Sequence, residues 1–308
     1  MNDDLWQQIF GFAHYGELLV MVRNSLIAGA ILGVVGGLIG TFVMTRDLAF
    51  AVHGVSELSF AGASAALLFG VNVVAGSIAG SLIAALLIAV LGSRARERNS
   101  IIAVLMPFGL GLGILFLALY PGRSANKFAL LTGQIVSVDN PQLLTLISIS
   151  VLIIVVLCVI WRPLSFASVD ADVAQAKGLP VTAISIIFMI LLALATAVSI
   201  QIVGALLVLS LLVTPAAAAM RVTSSPFLTP LLSVIFAVVS VVGGILLALG
   251  GGLPISPYVT SISFLIYLVC RIVGVRRERR GNNGRIIRIV ETAPAMIAPP
   301  MSVPGTGL

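Results

Sequence analysis

Long apolar runs are the feature that most constrains the fold of this chain. Residues 227–249, for example, read FLTPLLSVIFAVVSVVGGILLAL and contain no charged residue. A helix of about 20 such residues spans the hydrocarbon core of a bilayer, whereas a membrane β-barrel shows shorter segments of alternating polarity. Only 9% of the 308 residues are charged and the mean hydropathy is +1.19, which is too apolar for a soluble domain. We therefore predict an all-α, polytopic helical protein in a lipid bilayer.

Nine membrane spans are predicted from these runs. The stretch at 181–220 is too long for one crossing of the bilayer, and Gln201 and Gly204 mark the predicted turn within it, which leaves Pro215 inside the seventh span. Residues 281–308 are rich in Gly and Pro and are predicted to form a disordered cytoplasmic tail, so residues 1–280 form a single transmembrane domain. The predicted spans cover residues 24–45, 48–69, 71–92, 101–120, 141–161, 181–200, 203–220, 227–249 and 257–274.

The basic residues predict the orientation of the chain. If the N-terminus lies outside and nine spans follow, most of the 17 Lys and Arg residues fall on cytoplasmic segments, as the positive-inside rule requires. The C-terminus is then cytoplasmic. Because the pattern leaves no soluble basic domain, we do not expect nucleic acid as a partner.

Glycines recur at every fourth position along several predicted spans. Small residues at this spacing let helix backbones approach closely, and they predict general packing of the bundle rather than a dedicated dimer motif. The repeated positions are Gly29, Gly33 and Gly37, then Gly36 and Gly40, then Gly76 and Gly80, and finally Gly109 and Gly113.

A short helix is predicted inside the cytoplasmic connection at residues 162–180. Asp170 is placed to cap its N-terminus, Asp172 adds negative charge to its first turn, and Lys177 and Gly178 have the chemistry of a helix C-terminus. Val173 adds a small apolar surface. The helix either packs on the inner ends of its own bundle or docks a separate subunit, and these residues favour neither alternative.

The second predicted span carries polar side chains on one face. In LAFAVHGVSELSFAGASAALLFG, residues 48–70, helical periodicity places His53, Ser56, Glu57 and Ser64 within about 100° of one another. Ionisable groups within a span face the protein interior or a water-filled pathway and are functional candidates. An imidazole and a carboxylate at i, i+4 can contact one cation together. They can equally form a structural pair or a proton relay, and the residues alone leave these three roles open.

Four segments resemble one family, the membrane permeases of metal-ion ABC importers of the zinc and manganese uptake class. The resemblance covers about residues 18–280, and the segments occur in the family's order. They are GLIGTFVMTRDLAFAVHGVSELSFAGASAALLFG, FALLTGQIVSVDNPQLL, WRPLSFASVDADVAQAKGLPV and IVGALLVLSLLVTPAAAAMRV. The resemblance implies the ABC importer permease fold, a bacterial cell membrane location and a homodimer with the ion pathway along its two-fold axis. It also implies an extracytoplasmic metal-binding protein that delivers the ion.

The resemblance further implies a cytoplasmic dimer of ABC ATPase subunits. The chain has no GxxxxGK[ST] P-loop of its own, so we expect a transport subunit rather than an enzyme. The cytoplasmic loop that resembles the family's ATPase-contacting segment contains Asp170, Asp172, Val173, Gln175, Lys177 and Gly178. No cofactor is expected to be bound permanently, and the transported divalent ion is expected to be zinc first and manganese next.

One departure from the family concerns the second span. The family's usual signature has Gly-Asp where this chain has Val52 and His53, and it has His where this chain has Glu57. One imidazole and one carboxylate are therefore kept at the same spacing but in exchanged positions. Metal binding by His53 and Glu57, with Ser56 and Ser64 lining the pathway, remains the expectation. The alternatives are a permease for a metal chelate, such as a siderophore or cobalamin, and a proton-coupled secondary carrier.

Overall fold

The computed structural model describes residues 22–92, 95–122, 130, 138–249 and 255–292. All the secondary-structure elements in these described ranges are helices or 3₁₀ turns, so the all-α prediction is confirmed. The helices are α1 (Arg23–Thr45), α2 (Ala49–Leu68), α3 (Val73–Leu91), α4 (Ala95–Leu119), α5 (Asn140–Val169), α6 (Ala171–Ala176), α7 (Val181–Val203), α8 (Val208–Leu212), α9 (Thr214–Val222), α10 (Leu228–Leu249) and α11 (Ile255–Thr292), with a 3₁₀ turn at Ala205–Leu207.

Eight of the described helices are long and apolar enough to cross a membrane, and eight of the nine predicted spans correspond to them. The seventh predicted span, 203–220, is different. α7 ends at Val203, and the next residue, Gly204, has a φ of 85°. The apolar segment that follows is divided into α8 and α9 at Val213. Pro215 explains the interruption, because proline lacks an amide hydrogen and its ring collides with the carbonyl of residue i−4 in a continuous helix. The predicted span is therefore a broken helix.

The last helix is longer than its predicted span. α11 continues to Thr292, into the segment predicted to be a disordered tail. Only Ile255–Arg276 has the apolar character of a span, so the helix continues beyond the stretch that a bilayer would cover. Residues 293–308, the rest of the predicted tail, lie outside the described residues.

Glycines of α1 form the contact with α10. A Cβ on Gly33 would lie 2.9 Å from the Cα of Val238, and one on Gly37 would collide with the backbone at Val234. Ser233 Oγ donates a hydrogen bond of 2.8 Å to the Gly37 carbonyl across the same contact. The glycine repeat thus packs helices against each other, as its spacing predicts.

α2 lies at the centre of a second close-packed group, with α3 and α4 against it. A Cβ on Gly62 would collide with the Gly76 carbonyl oxygen of α3. Ser59 Oγ donates to the Ser77 carbonyl at 2.9 Å, and Ser77 Oγ in turn donates to the Ala197 carbonyl of α7 at 3.2 Å. These contacts leave little freedom for α2 to rotate about its axis, so they set the direction in which its polar side chains point.

Three helix ends have the same turn geometry. Asp47, Gly70 and Gly178 follow α1, α2 and α6 with φ values of 54°, 68° and 82°. At each end, the amides of this residue and the next donate to carbonyls of the last helical turn, which is the Schellman arrangement. Glycine adopts positive φ without strain, and aspartate is one of the few other residues that tolerate it.

Candidate functional site

His53 and Glu57 lie one turn apart on α2, as their spacing predicts. His53 Nε2 is 3.7 Å from Glu57 Oε1, which is longer than a normal hydrogen bond. The His53 side chain is 34% exposed, whereas the Glu57 side chain is only 12% exposed. The pair therefore runs from the surface of the chain into its interior. Its loose geometry leaves lone pairs of both groups free for a third atom.

Glu57 is held in place by the backbone packing around it. A Cβ on Gly109 of α4 would lie 2.9 Å from the carbonyl carbon of Glu57, so α4 crosses α2 directly at this residue. Glu57 Oε2 is buried and has no hydrogen-bond partner among the described residues. Since an unpaired buried carboxylate oxygen is unfavourable, this atom is chemically suited to pair with a cation or a proton.

Ser56 and Ser64 are both buried in the structure. Ser56 Oγ points toward the Ala205 carbonyl at 3.4 Å, which is a long hydrogen bond. Ser64 Oγ is buried without a partner among the described residues. The structure therefore brings Ser56 to the same level of the bundle as the His53–Glu57 pair, while Ser64 lies two turns further along α2.

The sequence did not predict the roles of Ala205 and Gly109 beside the site. The Ala205 carbonyl belongs to the 3₁₀ turn after α7, and it faces Ser56 because Gly204 turns the chain back into the bundle. Gly204 was the available signal for this turn, but nothing in the local sequence says which helix the turn meets. The glycine spacing predicts that Gly109 packs against another helix, but it does not identify that helix.

A metal ion would find two protein ligands in one copy of the chain. The described residues contain no cluster of three or more His, Cys, Asp and Glu side chains that could hold a metal. A closed structural zinc site needs four ligands. The pair is thus suited to brief contact with an ion, or to a site completed by a second chain.

The predicted loop helix forms as α6. Asp170 Oδ1 accepts a hydrogen bond of 3.0 Å from the Val173 amide, Gly178 closes the C-terminus, and Lys177 Nζ lies 5.2 Å from the centre of the Phe166 ring. Ala174 is buried against the bundle. The exposed residues of this segment include the other loop residues predicted to couple to an ATPase, Asp172, Val173 and Gln175. One face of α6 thus packs on its own bundle and the rest is accessible.

A family model for the ABC 3 transport family matches residues 19–274. The chain belongs to the ABC 3 transport family. It is a multi-pass membrane protein of the ABC permease type, as its membrane-spanning helices and the family match indicate.

Curated relatives share about a quarter of the residues of this ABC 3 chain. The manganese transport system membrane protein MntC of Halalkalibacterium halodurans is 28% identical over 225 residues, which cover 73% of this chain and 77% of the relative. The high-affinity zinc uptake system membrane protein ZnuB of Buchnera aphidicola is 27% identical over 258 residues, which cover 82% and 97%.

Solved structures confirm the fold of this ABC 3 permease. PsaBC from Streptococcus pneumoniae, solved in complex with Fab, superposes with a TM-score of 0.76 at 24% identity, covering 84% of this chain and 95% of the matched one. An inward-facing putative metal-chelate type ABC transporter gives a TM-score of 0.66 at 17% identity, covering 85% and 92%. The ABC importer permease fold is therefore shown.

Proposed function

We propose that this chain is the membrane permease of an ATP-driven importer of divalent metal ions, with His53 and Glu57 as ion contacts. The observation that carries the proposal is the Glu57 carboxylate. One of its oxygens lies 3.7 Å from an imidazole, and the other is buried without a partner among the described residues. An ion passing this level would meet one nitrogen and up to two oxygen ligands.

The proposal includes a homodimer, because two ligands from one chain hold an ion weakly. A second copy related by a two-fold axis near His53 would supply another imidazole and another carboxylate. The partial exposure of the His53 side chain is compatible with such a neighbour. Four ligands of this type match those that zinc accepts.

Zinc is the proposed ion, with manganese next. Imidazole suits zinc and related ions, whereas manganese sites depend more on carboxylate and water oxygens. Relatives of both kinds support the broader class, since their names include manganese and zinc transport systems.

The energy would come from a separate ATPase dimer that docks on the exposed side of α6. Closure of that dimer on ATP would push α6 against α5 and change the relative positions of the bundle helices. An extracytoplasmic metal-binding protein would deliver the ion on the opposite side. The orientation with the N-terminus outside and the C-terminus in the cytoplasm places α6 on the ATPase side.

The proposal is tested by metal uptake into proteoliposomes that contain the assembled transporter. His53→Ala and Glu57→Gln should each lower zinc uptake about 10- to 100-fold or more, since loss of a group that merely orients a metal ligand already has that effect. Glu57→Gln keeps the shape of the side chain, so a lower zinc uptake would be caused by removal of the negative charge. Ser148→Ala is the matched control, because that exposed hydroxyl donates to the Leu144 carbonyl of its own helix.

Uptake of zinc and manganese at the wild-type rate by both variants, in correctly assembled transporters, would rule out the ion-contact role. Failure of the permease to copurify with any ATPase would instead favour a secondary carrier.

A further inference from the structure

A second polar cavity lies away from the His53–Glu57 pair. It has a volume of about 510 Å³ and lies at the end of the bundle where α1 and α3 end and α4 and α7 begin. Two arginines, Arg46 and Arg98, line it together with the hydroxyl-bearing residues Thr182 and Ser185. The site helix contributes only Leu48, the residue that precedes α2.

The two arginines have unused hydrogen-bond donors. Arg46 donates through Nη2 to Ser185 Oγ, and its guanidinium carbon lies 5.7 Å from the centre of the Phe188 ring. Arg46 Nη1 and Arg98 Nε are both buried, and neither has a hydrogen-bond partner among the described residues. A guanidinium has five N–H donors in a fixed planar arrangement, so each arginine keeps at least one buried nitrogen that can still donate to a group bound in the cavity.

The described lining of the cavity also lacks a counter-charge for the two arginines. None of the described residues that line it is acidic, and Asp47, the neighbour of Arg46 in the chain, is exposed and not among them. Burial lowers the pKa of Arg46, and the positive charge of Arg98 lowers it further. Two partly buried like charges are unfavourable without a counter-charge, so the chemistry of the cavity favours an anion.

The walls of the cavity indicate which anion fits. Leu48, Ile88, Ile186 and Met189 give it an apolar side, and Val90, which is 70% exposed, lies at its edge. The arginines are at the ends of membrane-spanning helices, where lipid headgroups lie. Basic pockets between such helices bind acidic headgroups, and guanidinium groups hold phosphate through paired, charge-assisted hydrogen bonds.

We propose that Arg46 and Arg98 together bind the phosphate group of an anionic phospholipid, with its glycerol and first acyl carbons against the apolar wall. The bound lipid would connect the end of α1 to the start of α4 and would stabilise the bundle at this end. The proposal is independent of the ion pathway, because neither His53 nor Glu57 lines this cavity.

The test measures the thermal unfolding midpoint of the full-length permease in a neutral detergent. Dioctanoyl phosphatidylglycerol, dioctanoyl phosphatidylcholine and inorganic phosphate are titrated separately. Phosphatidylglycerol should raise the midpoint saturably, whereas phosphatidylcholine and inorganic phosphate at equal concentrations should not. These arms separate an anionic lipid from a free phosphate ion and from a general effect of lipid.

Variants then assign the response to the cavity. Arg98→Gln should require at least about tenfold more phosphatidylglycerol for the same rise, because it removes charge-assisted hydrogen bonds. Arg46→Lys is a second, milder variant. It keeps the charge but loses the planar guanidinium, and it should also weaken the response to phosphatidylglycerol. Arg162→Gln is the matched control, because it removes an exposed arginine of α5 outside the cavity and should respond like the wild type.

Three results would overturn the proposal. One is an unchanged phosphatidylglycerol response in both Arg98→Gln and Arg46→Lys. Another is an equal response of the wild type to inorganic phosphate, which would assign the cavity to a free anion. The third combines two observations: the wild type does not respond to lipid, and Arg98→Gln no longer copurifies with the ATPase. That result would mean that the arginines bind an acidic group of a protein partner.

Discussion

Glu57 combines close helix packing with the ion contact that we propose. Its backbone is fixed by Gly109 of α4, while its carboxylate has one oxygen near His53 and another buried without a partner among the described residues. A charged side chain in a span costs at least about 2.5 kcal/mol on insertion scales unless something compensates it. A transient cation is the compensation that the proposed function supplies.

The exchanged order of the pair leads to a prediction at the residue scale. The double variant His53→Asp with Glu57→His restores the order that is usual in the family and keeps one imidazole and one carboxylate. We expect it to retain metal uptake. His53→Asp alone should shift preference toward manganese, and Glu57→His alone toward zinc, because carboxylate and imidazole ligands differ in the ions that they favour.

Competition between zinc and manganese in the uptake assay measures this preference. The ligand hypothesis would be contradicted if all three variants showed the wild-type ratio of zinc to manganese uptake while assembling normally.

At the scale of elements, the glycine contacts between helices lead to a stability prediction. A Cβ on Gly62 would collide with the Gly76 carbonyl oxygen, whereas a Cβ on Gly111 of α4 would have no described neighbour within 4 Å. Gly62→Ala should destabilise the fold by about 1–3 kcal/mol, as overpacked sites do. Gly111→Ala should be neutral, or stabilising by up to about 1 kcal/mol through helix propensity.

Thermal unfolding of the two purified variants compares them directly. Equal midpoints for Gly62→Ala and Gly111→Ala would mean that the α2–α3 contact is not as close as the structure shows.

α6 leads to a second prediction at this scale. A helix of six residues is not stable by itself, so its caps and its contact through Ala174 keep it formed. Asp170→Ala removes the N-cap and should cost about 1 kcal/mol, whereas Asp170→Asn keeps it. If α6 transmits ATPase closure, Asp170→Ala should lower the number of ions transported per ATP, and Asp170→Asn should not.

The ratio of uptake to ATP hydrolysis in the reconstituted complex is the measurement. Equal ratios for the alanine and asparagine variants would mean that the N-cap of α6 is not needed to couple ATP hydrolysis to transport.

At the scale of the whole molecule, the predicted orientation can be tested by labelling single cysteines. Cys158 and Cys270 are first replaced by serine and alanine. Val71→Cys and Val173→Cys then place one thiol at each end of the bundle, at positions that are exposed in the structure. An impermeant maleimide should label residue 71 in intact cells and residue 173 only after permeabilisation, because the basic segments favour the cytoplasmic side. The reverse pattern would place the N-terminus inside.

The broken helix shows where prediction from sequence ends. Hydropathy detected an apolar segment after Gly204 because local composition determines whether a stretch can enter a bilayer. The division at Val213 depends on how Pro215 is accommodated, and Leu212 on the other side of the break packs against Gly40 of α1. That contact joins residues far apart in the chain, and no local pattern specifies it.

The sequence by itself determined the class of fold, eight of the spans, the capped loop helix and the common face of His53 and Glu57. Each of these follows from composition or from a helical repeat within a few turns. Only the tertiary structure decided that Glu57 is buried while His53 is partly exposed, that Ala205 faces Ser56, and that Arg46 and Arg98 share a cavity. These features depend on which helices meet and at what depth, and that is determined by close packing between distant segments rather than by the periodicity of any one of them.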